Sequence, residues 1–256
     1  MRVGQFSGKN AIVFGGTSGI NLGIAKMLAE KGAHTFLVSR SSEKVESAVA
    51  EIVAAGGKAS GCPADVRDYD QVEAAVAKAV ELGEIDIVIS GAAGNFLAPA
   101  AEMSSNAFRT VIDIDLVGTF HTARATFAHM RKPGSSFIAI TAPQAVKPMG
   151  GQAHVCAAKA GINMLIKCLA FEWGPQGVRV NGISPGPIVD TEGMRRLAPT
   201  PEINAALTAA LPLRRYGRAD EIASAACYLA GEEGAYVTGT ILDVDGGTAL
   251  GSGGLA

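Results

Sequence analysis

The chain has 256 residues, 48% of them hydrophobic but only 5% aromatic, which suits one large α/β domain or two small ones, with a core of Ala, Val, Ile and Leu. Its 22 basic and 24 acidic residues leave a net charge of −2, so no global electrostatic case exists for nucleic acid or for an anionic membrane. No run reaches the ~18 uninterrupted apolar residues of a membrane helix. The first residues lack the apolar stretch of a secretory signal, and Cys62, Cys156, Cys168 and Cys227 show no ligand spacing. The expectation is a cytoplasmic, enzyme-sized domain with reduced thiols.

In chain order, residues 11–14 read as a first strand, 20–31 as a helix, 35–38 as a strand and 43–55 as a helix. A weaker strand at 58–62 precedes a helix at 72–82 and a strand at 85–89. Further strands fall at 137–140, 178–183 and 241–244, with a helix at 157–173. The strands are short, rich in β-branched residues and almost continuously apolar, as when both faces of a parallel sheet are covered. Strand alternating with helix implies right-handed βαβ units and a doubly wound parallel sheet of seven strands, with helices on both faces. Residues 1–256 read as a single domain. The excursion at about 188–215, carrying Pro199, Pro201 and Pro212, follows the carboxyl end of a strand, where such sheets place a substrate lid.

The chemistry starts at Gly15-Gly16-Thr17-Ser18-Gly19-Ile20-Asn21, between the first strand and the first helix. Glycines there let the backbone turn tightly and approach a pyrophosphate, which a helix N-terminus attracts. A bare glycine-rich turn is the plainer alternative; the position after the first strand of a βαβ chain favours the nucleotide. At the end of the second strand, Ser39 and Arg40 stand where an acidic residue would hold the ribose 2′-hydroxyl of NAD. A guanidinium suits the 2′-phosphate of NADP, or it is a solvated turn residue.

With Asp65-Val66, Ala92-Ala93-Gly94, Lys159-Ala160, Arg179-Val180-Asn181, Ser184-Pro185-Gly186 and Asp243-Val244-Asp245-Gly246-Gly247, the chain resembles the short-chain dehydrogenase/reductases over nearly its whole length. The resemblance implies a single Rossmann-fold domain binding NADP(H) and a homo-oligomer, either dimer or tetramer. It implies a cofactor site of Gly15, Thr17, Ser18, Gly19, Ile20, Ser39, Arg40, Asp65, Val66, Ala92, Lys159, Pro185, Gly186, Ile188 and Thr191. Within that set Asp65 and Val66 would meet adenine, Lys159 the nicotinamide ribose, and residues 185–191 the nicotinamide and phosphates.

Several family positions depart from the pattern. Val155 replaces the usual tyrosine four residues before Lys159, Ala142 the usual serine, and Asp115 the usual helix asparagine. Asn21 stands for the last glycine of the loop, Phe14 for its leading threonine, and Ser90-Gly91 for two asparagines. Reduction of a ketone places a proton on oxygen, which valine cannot supply. Ordinary carbonyl chemistry would then need His154 or Gln144 as a substitute donor. Conjugate reduction has no such requirement: the enolate oxygen needs hydrogen bonds, and the proton goes to carbon.

The segments Ala92-Ala93-Gly94-Asn95-Phe96, Asp113-Ile114-Asp115, Glu172-Trp173-Gly174-Pro175-Gln176 and Thr191-Glu192-Gly193-Met194-Arg195-Arg196 are similar to 2,4-dienoyl-CoA reductases, the peroxisomal type above all. That likeness implies NADPH-dependent reduction of a 2,4-dienoyl-CoA, with Asp115 acting through water and Lys159 as its electrostatic partner. It also implies an acyl-CoA site of Arg40, Arg67 and Arg196, and a thioester pocket of Phe96 and Ser104 to Asn106. Plainer readings remain beside these: Asp115 as a helix anchor, Arg67 as a turn ion pair, Arg196 on a solvated helix face. A nucleotide-binding scaffold without catalysis is the alternative for the whole chain. No metal site is expected.

Overall fold

Side chains alternate across the strands, so both faces of the sheet must be buried. In this computed structural model, which describes residues 4–191, 194 and 200–250, seven strands form one parallel sheet. They are β1 (Asn10–Phe14), β2 (His34–Ser39), β3 (Lys58–Pro63), β4 (Ile87–Ser90), β5 (Ser136–Ile140), β6 (Arg179–Pro185) and β7 (Ile241–Val244). Their order is β3-β2-β1-β4-β5-β6-β7, and every neighbouring pair is parallel. The doubly wound architecture expected from the alternation is therefore the one observed.

The helices among the described residues are α1 (Gly19–Glu30), α2 (Ser42–Ala54), α3 (Tyr69–Ala79), α4 (Ser105–Ile112), α5 (Gly118–Phe127), α6 (Ala153–Trp173), α7 (Pro201–Ala210) and α8 (Ala219–Ala230). On one face Ala11, Val13, Leu37 and Ile138 pack with Ile24 and Leu28 of α1, Ile52 of α2 and Ile222 of α8. On the other Ile12, Phe14, Phe36 and Phe137 pack with Val72 and Val76 of α3, Ala123 of α5, and Ile162, Ile166 and Trp173 of α6. Phe14, in place of a threonine, is thus a fully buried core residue. Helix α6 is long and apolar enough by composition to cross a membrane, but its buried residues from Ile162 to Trp173 pack in the core against the sheet.

Element ends shift by a few residues from the sequence reading, each for a local reason. Helix α3 starts at Tyr69, before residue 72, because Asp68 caps it by accepting from the N–H groups of Asp70 and Gln71. Strand β4 starts at Ile87; Ile85, placed in a strand by its apolarity, makes only a bridge to Met130. The excursion after β6 is pinned at its base by the Ile188–Gly217 bridge and contains α7, capped by Thr200 with Pro201 in its first turn.

At the foot of the sheet Asp86, 2% exposed, accepts from Arg131 Nε (2.7 Å), Lys9 Nζ (2.9 Å) and Asn10 N–H (2.9 Å). Burial favours the neutral acid, but the hydrogen bonds from Arg131, Asn10 and Lys9 outweigh it and hold the carboxyl below its usual range. A depressed folded pKa means that this stabilisation is complete above the unfolded value of about 4 and is lost as pH falls through the folded one. Replacing Asp86→Asn is expected to lower unfolding free energy by about 2 kcal/mol at neutral pH. Urea titrations should show that difference shrinking below pH ~4; equal stability at pH 7 would contradict the role.

Candidate active site

The carboxyl ends of β1 and β4 are neighbours from which the chain winds in opposite directions, the switch point where such sheets bind ligands. Gly15 leaves β1 with φ of +74°, and a Cβ on it would lie 2.8 Å from the Ala92 nitrogen. Only glycine allows that approach. Ser18, the residue before α1, makes no side-chain cap, so the first N–H groups of the helix remain free to receive an anion. Gly19 lies against Thr191, whose methyl would be 3.9 Å from a Cβ there. The loop 15–20, Ala92 and Thr191 therefore converge, and this uncapped, close-packed cradle fits a dinucleotide.

Beyond β4 the chain reaches Gly94, whose N–H donates to Asp115 Oδ1 at 2.7 Å. Asp115 is fully buried and lies in a π-helical turn, Asp113–Val117, joining α4 to α5. The extra residue of such a turn rotates one side chain out of α-helical register, and here it presents a carboxylate to the switch point. Lys159, on α6 and 6% exposed, places Nζ 3.0 Å from Asp115 Oδ2 and donates to the Ile140 carbonyl at 3.1 Å. The contact with Oδ2 is an ion pair without a well-formed hydrogen bond, so donors of the ammonium remain for a further acceptor such as a ribose hydroxyl. The Asp115 carbonyl accepts from Thr119 Oγ1 (2.6 Å), which itself accepts from Ser90 Oγ (3.4 Å). The two catalytic residues expected from the sequence thus form one buried ion pair.

Where a tyrosine is usual, Val155 packs with Val111 and Ala158, with Ile112, Leu116 and Phe96 beside them. Ala142 offers no hydroxyl, and the Thr141 hydroxyl donates to Asn163 Oδ1 at 2.7 Å. Of the two substitute donors, Gln144 donates to Gln152, which donates to Asn95. His154 is fully buried under Phe96, the rings stacked at 4.2 Å, with neither ring nitrogen in a well-formed hydrogen bond. Burial lowers its pKa, against the opposing pull of the Phe96 backbone and the Asp115 charge.

The arginines are less concentrated. Arg67 is closed onto Asp65, its Nε 3.0 Å from each carboxylate oxygen, which is the turn ion pair left open above. Arg67 first, then burial in opposition and the more distant Arg40 act on Asp65, and its carboxyl lies below the usual range. Ser39 ends β2 and Arg40 follows it, exposed; Val66 is buried against Gly118. Pro185 and Ile188 are buried, and Gly186 lies so close to Asp245 that a Cβ would meet its backbone at 2.6 Å. Ser104 spends its hydroxyl as the N-cap of α4, accepting from Ala107 N–H, and Asn106 is exposed on that helix. Ser104, but not Asn106, lines a cavity of ≈ 590 Å³ together with Met103, Phe108, Ile112 and Ala153. Arg196 lies outside the described residues. Sequence reasoning missed the Gly94 N–H, Thr119 and the π turn; of these only Thr119 had a signal, the departure at Ser90, which contacts it.

A dinucleotide cradle at the switch point, with a buried lysine one sheet position away, defines a Rossmann-type oxidoreductase. The family model described as "Enoyl-(Acyl carrier protein) reductase" matches residues 15–249, and the chain belongs to the short-chain dehydrogenase/reductase family. It is 43% identical over 243 residues to the peroxisomal 2,4-dienoyl-CoA reductase [(3E)-enoyl-CoA-producing] of Rattus norvegicus, covering 94% of this chain and 83% of that one. It is 39% identical over 246 residues to D-threitol dehydrogenase of Mycolicibacterium smegmatis, covering 95% and 94%. A solved short chain dehydrogenase from Burkholderia cenocepacia in complex with NADP superposes with a TM-score of 0.87 at 28% identity, over 94% of this chain and 98% of that one.

A buried imidazole with a lowered pKa has a definite pH signature. The unfolded chain binds the extra proton first, so stability falls as pH drops through about 6.5, the unfolded value. Thermal melts of the wild type and His154→Phe are expected to separate above that pH and converge below it. Parallel profiles would show that His154 is not held neutral by burial.

Proposed function

We propose that the protein is an NADPH-dependent reductase of 2,4-dienoyl-CoA or a closely related unsaturated acyl thioester. The observation that carries this reading is the Asp115–Lys159 pair, 3.0 Å apart and buried beside an apolar Val155. The name of the Rattus norvegicus relative supports the substrate class. The NADP complex of the structural relative and the exposed Arg40 just after β2 support the choice of NADPH.

When bound, the nicotinamide supplies a hydride, here to the δ-carbon of the dienoyl thioester. The electron pair then spreads over the thioester oxygen and the α-carbon, and a proton added to the α-carbon gives a 3-enoyl-CoA. Asp115, its Oδ1 fixed by the Gly94 N–H, orients a water toward that carbon. Lys159, held by the Ile140 carbonyl, sits beside the carboxylate and balances the charge as the water gives up its proton, which is replaced from solvent. Val155 and its apolar neighbours keep bulk water from the pair, strengthening its field at the reacting atoms. The same wall offers no phenol to a ketone oxygen, and this separates the site from alcohol–ketone chemistry. Neither His154, closed under Phe96, nor Gln144, bound to Gln152, takes the place of one.

The full burial of Asp115 also favours one other reading, a nucleotide-binding scaffold without turnover. NADPH oxidation with a short 2,4-dienoyl-CoA distinguishes the two. Rapid wild-type turnover is expected, lost by at least ~100-fold in Asp115→Ala, the usual scale of a general acid–base contribution. Tight NADPH binding without turnover would decide for the scaffold. In the same assay Arg40→Ala is expected to weaken NADPH by roughly tenfold while leaving NADH unchanged, as loss of a charge-assisted phosphate contact requires.

A further inference from the structure

The departures at Asn21, Ser90 and Gly91 lie together in space. Asn21 is in the first turn of α1 and 9% exposed. Its Nδ2 donates to the Gly91 carbonyl at 2.8 Å and to the Gly15 carbonyl at 3.3 Å. Both neighbours are acceptors, which fixes the amide orientation. The amide fits only because position 91 has no side chain: a Cβ on Gly91 would lie 2.2 Å from Asn21 Oδ1 and 2.4 Å from Nδ2. Side chains at 21 and 91 therefore exclude one another, and the two departures form a single exchange.

That exchange joins two functional loops. Gly15 opens the nucleotide loop, and its φ of +74° leaves no room for another residue. Gly91 opens the segment ending at Gly94, whose N–H holds the Asp115 carboxylate. The residue before it, Ser90, reaches the Asp115 carbonyl through Thr119. The Gly91 N–H donates to Phe14 at 3.1 Å, so the Asn21 amide closes a junction that the sheet begins. The Asn21 Oδ1 is buried without a hydrogen-bond partner, a cost retained for the sake of the two bonds made by Nδ2.

We propose that Asn21 is a positioning residue: its amide straps the nucleotide loop at Gly15 to the 91–94 segment that orients Asp115, with Gly91 as its required partner. Only the turnover arm of the test rests on the dienoyl-CoA reading above. Asn21→Gly removes both bonds without introducing bulk. It is expected to accelerate amide hydrogen exchange in residues 91–95 about tenfold, leaving the core of β4 unchanged, and to lower kcat by a similar factor with a much smaller change in KM for NADPH.

Gly91→Ala drives a methyl into the amide and is expected to lose both thermal stability and NADPH affinity. Asn21→Gly/Gly91→Ala should return both to the level of Asn21→Gly alone. Additive losses in the double variant, or unchanged exchange at 91–95 in Asn21→Gly, would overturn the strap. If wild-type protein binds NADPH but does not reduce the dienoyl thioester, the substrate reading fails, and exchange with the NADPH-binding cycle still decides this one.

Discussion

A carboxylate and an ammonium taken out of water must satisfy each other and every remaining lone pair and proton, or the desolvation cost defeats them. Asp115 and Lys159 impose that demand on the centre of this fold. Their partners come from separate parts of the chain: Gly94 from the segment after β4, Ile140 from β5, and Lys159 itself from α6. Parallel strands whose carboxyl ends open at one edge can bring three such donors and acceptors together. The sheet order and the π turn before α5 are the geometric means by which the pair is made possible.

Much of this was legible in the sequence because it is one-dimensional. Six strands were legible as apolar runs, the signal that coverage of both sheet faces leaves; the seventh, at 58–62, is weak because β3 is an edge strand and mostly not buried. Asp115 and Lys159 were legible because each holds a position fixed relative to a motif. The π turn was not, since one added residue shifts helical phase without any distinctive composition. Nor was the Gly94 N–H, a backbone donor that any residue carries. Ser104 illustrates the reverse limit: its position suits a pocket, while its hydroxyl is already spent on the cap of α4.

Arg67 shows how local competition hides a function or removes it. Two residues from Asp65, its guanidinium finds a carboxylate with less loss of freedom than any distant anion would require. The pair is 44% exposed at Arg67, so its contribution to stability is small, and a polyphosphate competing for that guanidinium faces a modest opposing energy. The residues expected to read adenine and carrier are therefore one electrostatic unit, with Arg40 close enough to act on the same carboxyl.

Losing a tyrosine beside a catalytic lysine would ordinarily leave either a cavity or a water-filled gap. Here Val155 fills the place with Val111, Ala158 and the edge of Phe96, and the volume is apolar rather than empty. That choice has an electrical consequence. An apolar wall lowers the local dielectric response around the Asp115–Lys159 pair, so its field falls off less steeply toward the switch point. The substitution that removes one proton donor thus strengthens the field of the ion pair beside it. The requirement for tight support follows, because a field that strong is useful only if the carboxylate does not wander. The Gly94 N–H on one side, Thr119 on the Asp115 carbonyl and Lys159 on the other side supply that support, each tied in turn to a strand end of the same sheet.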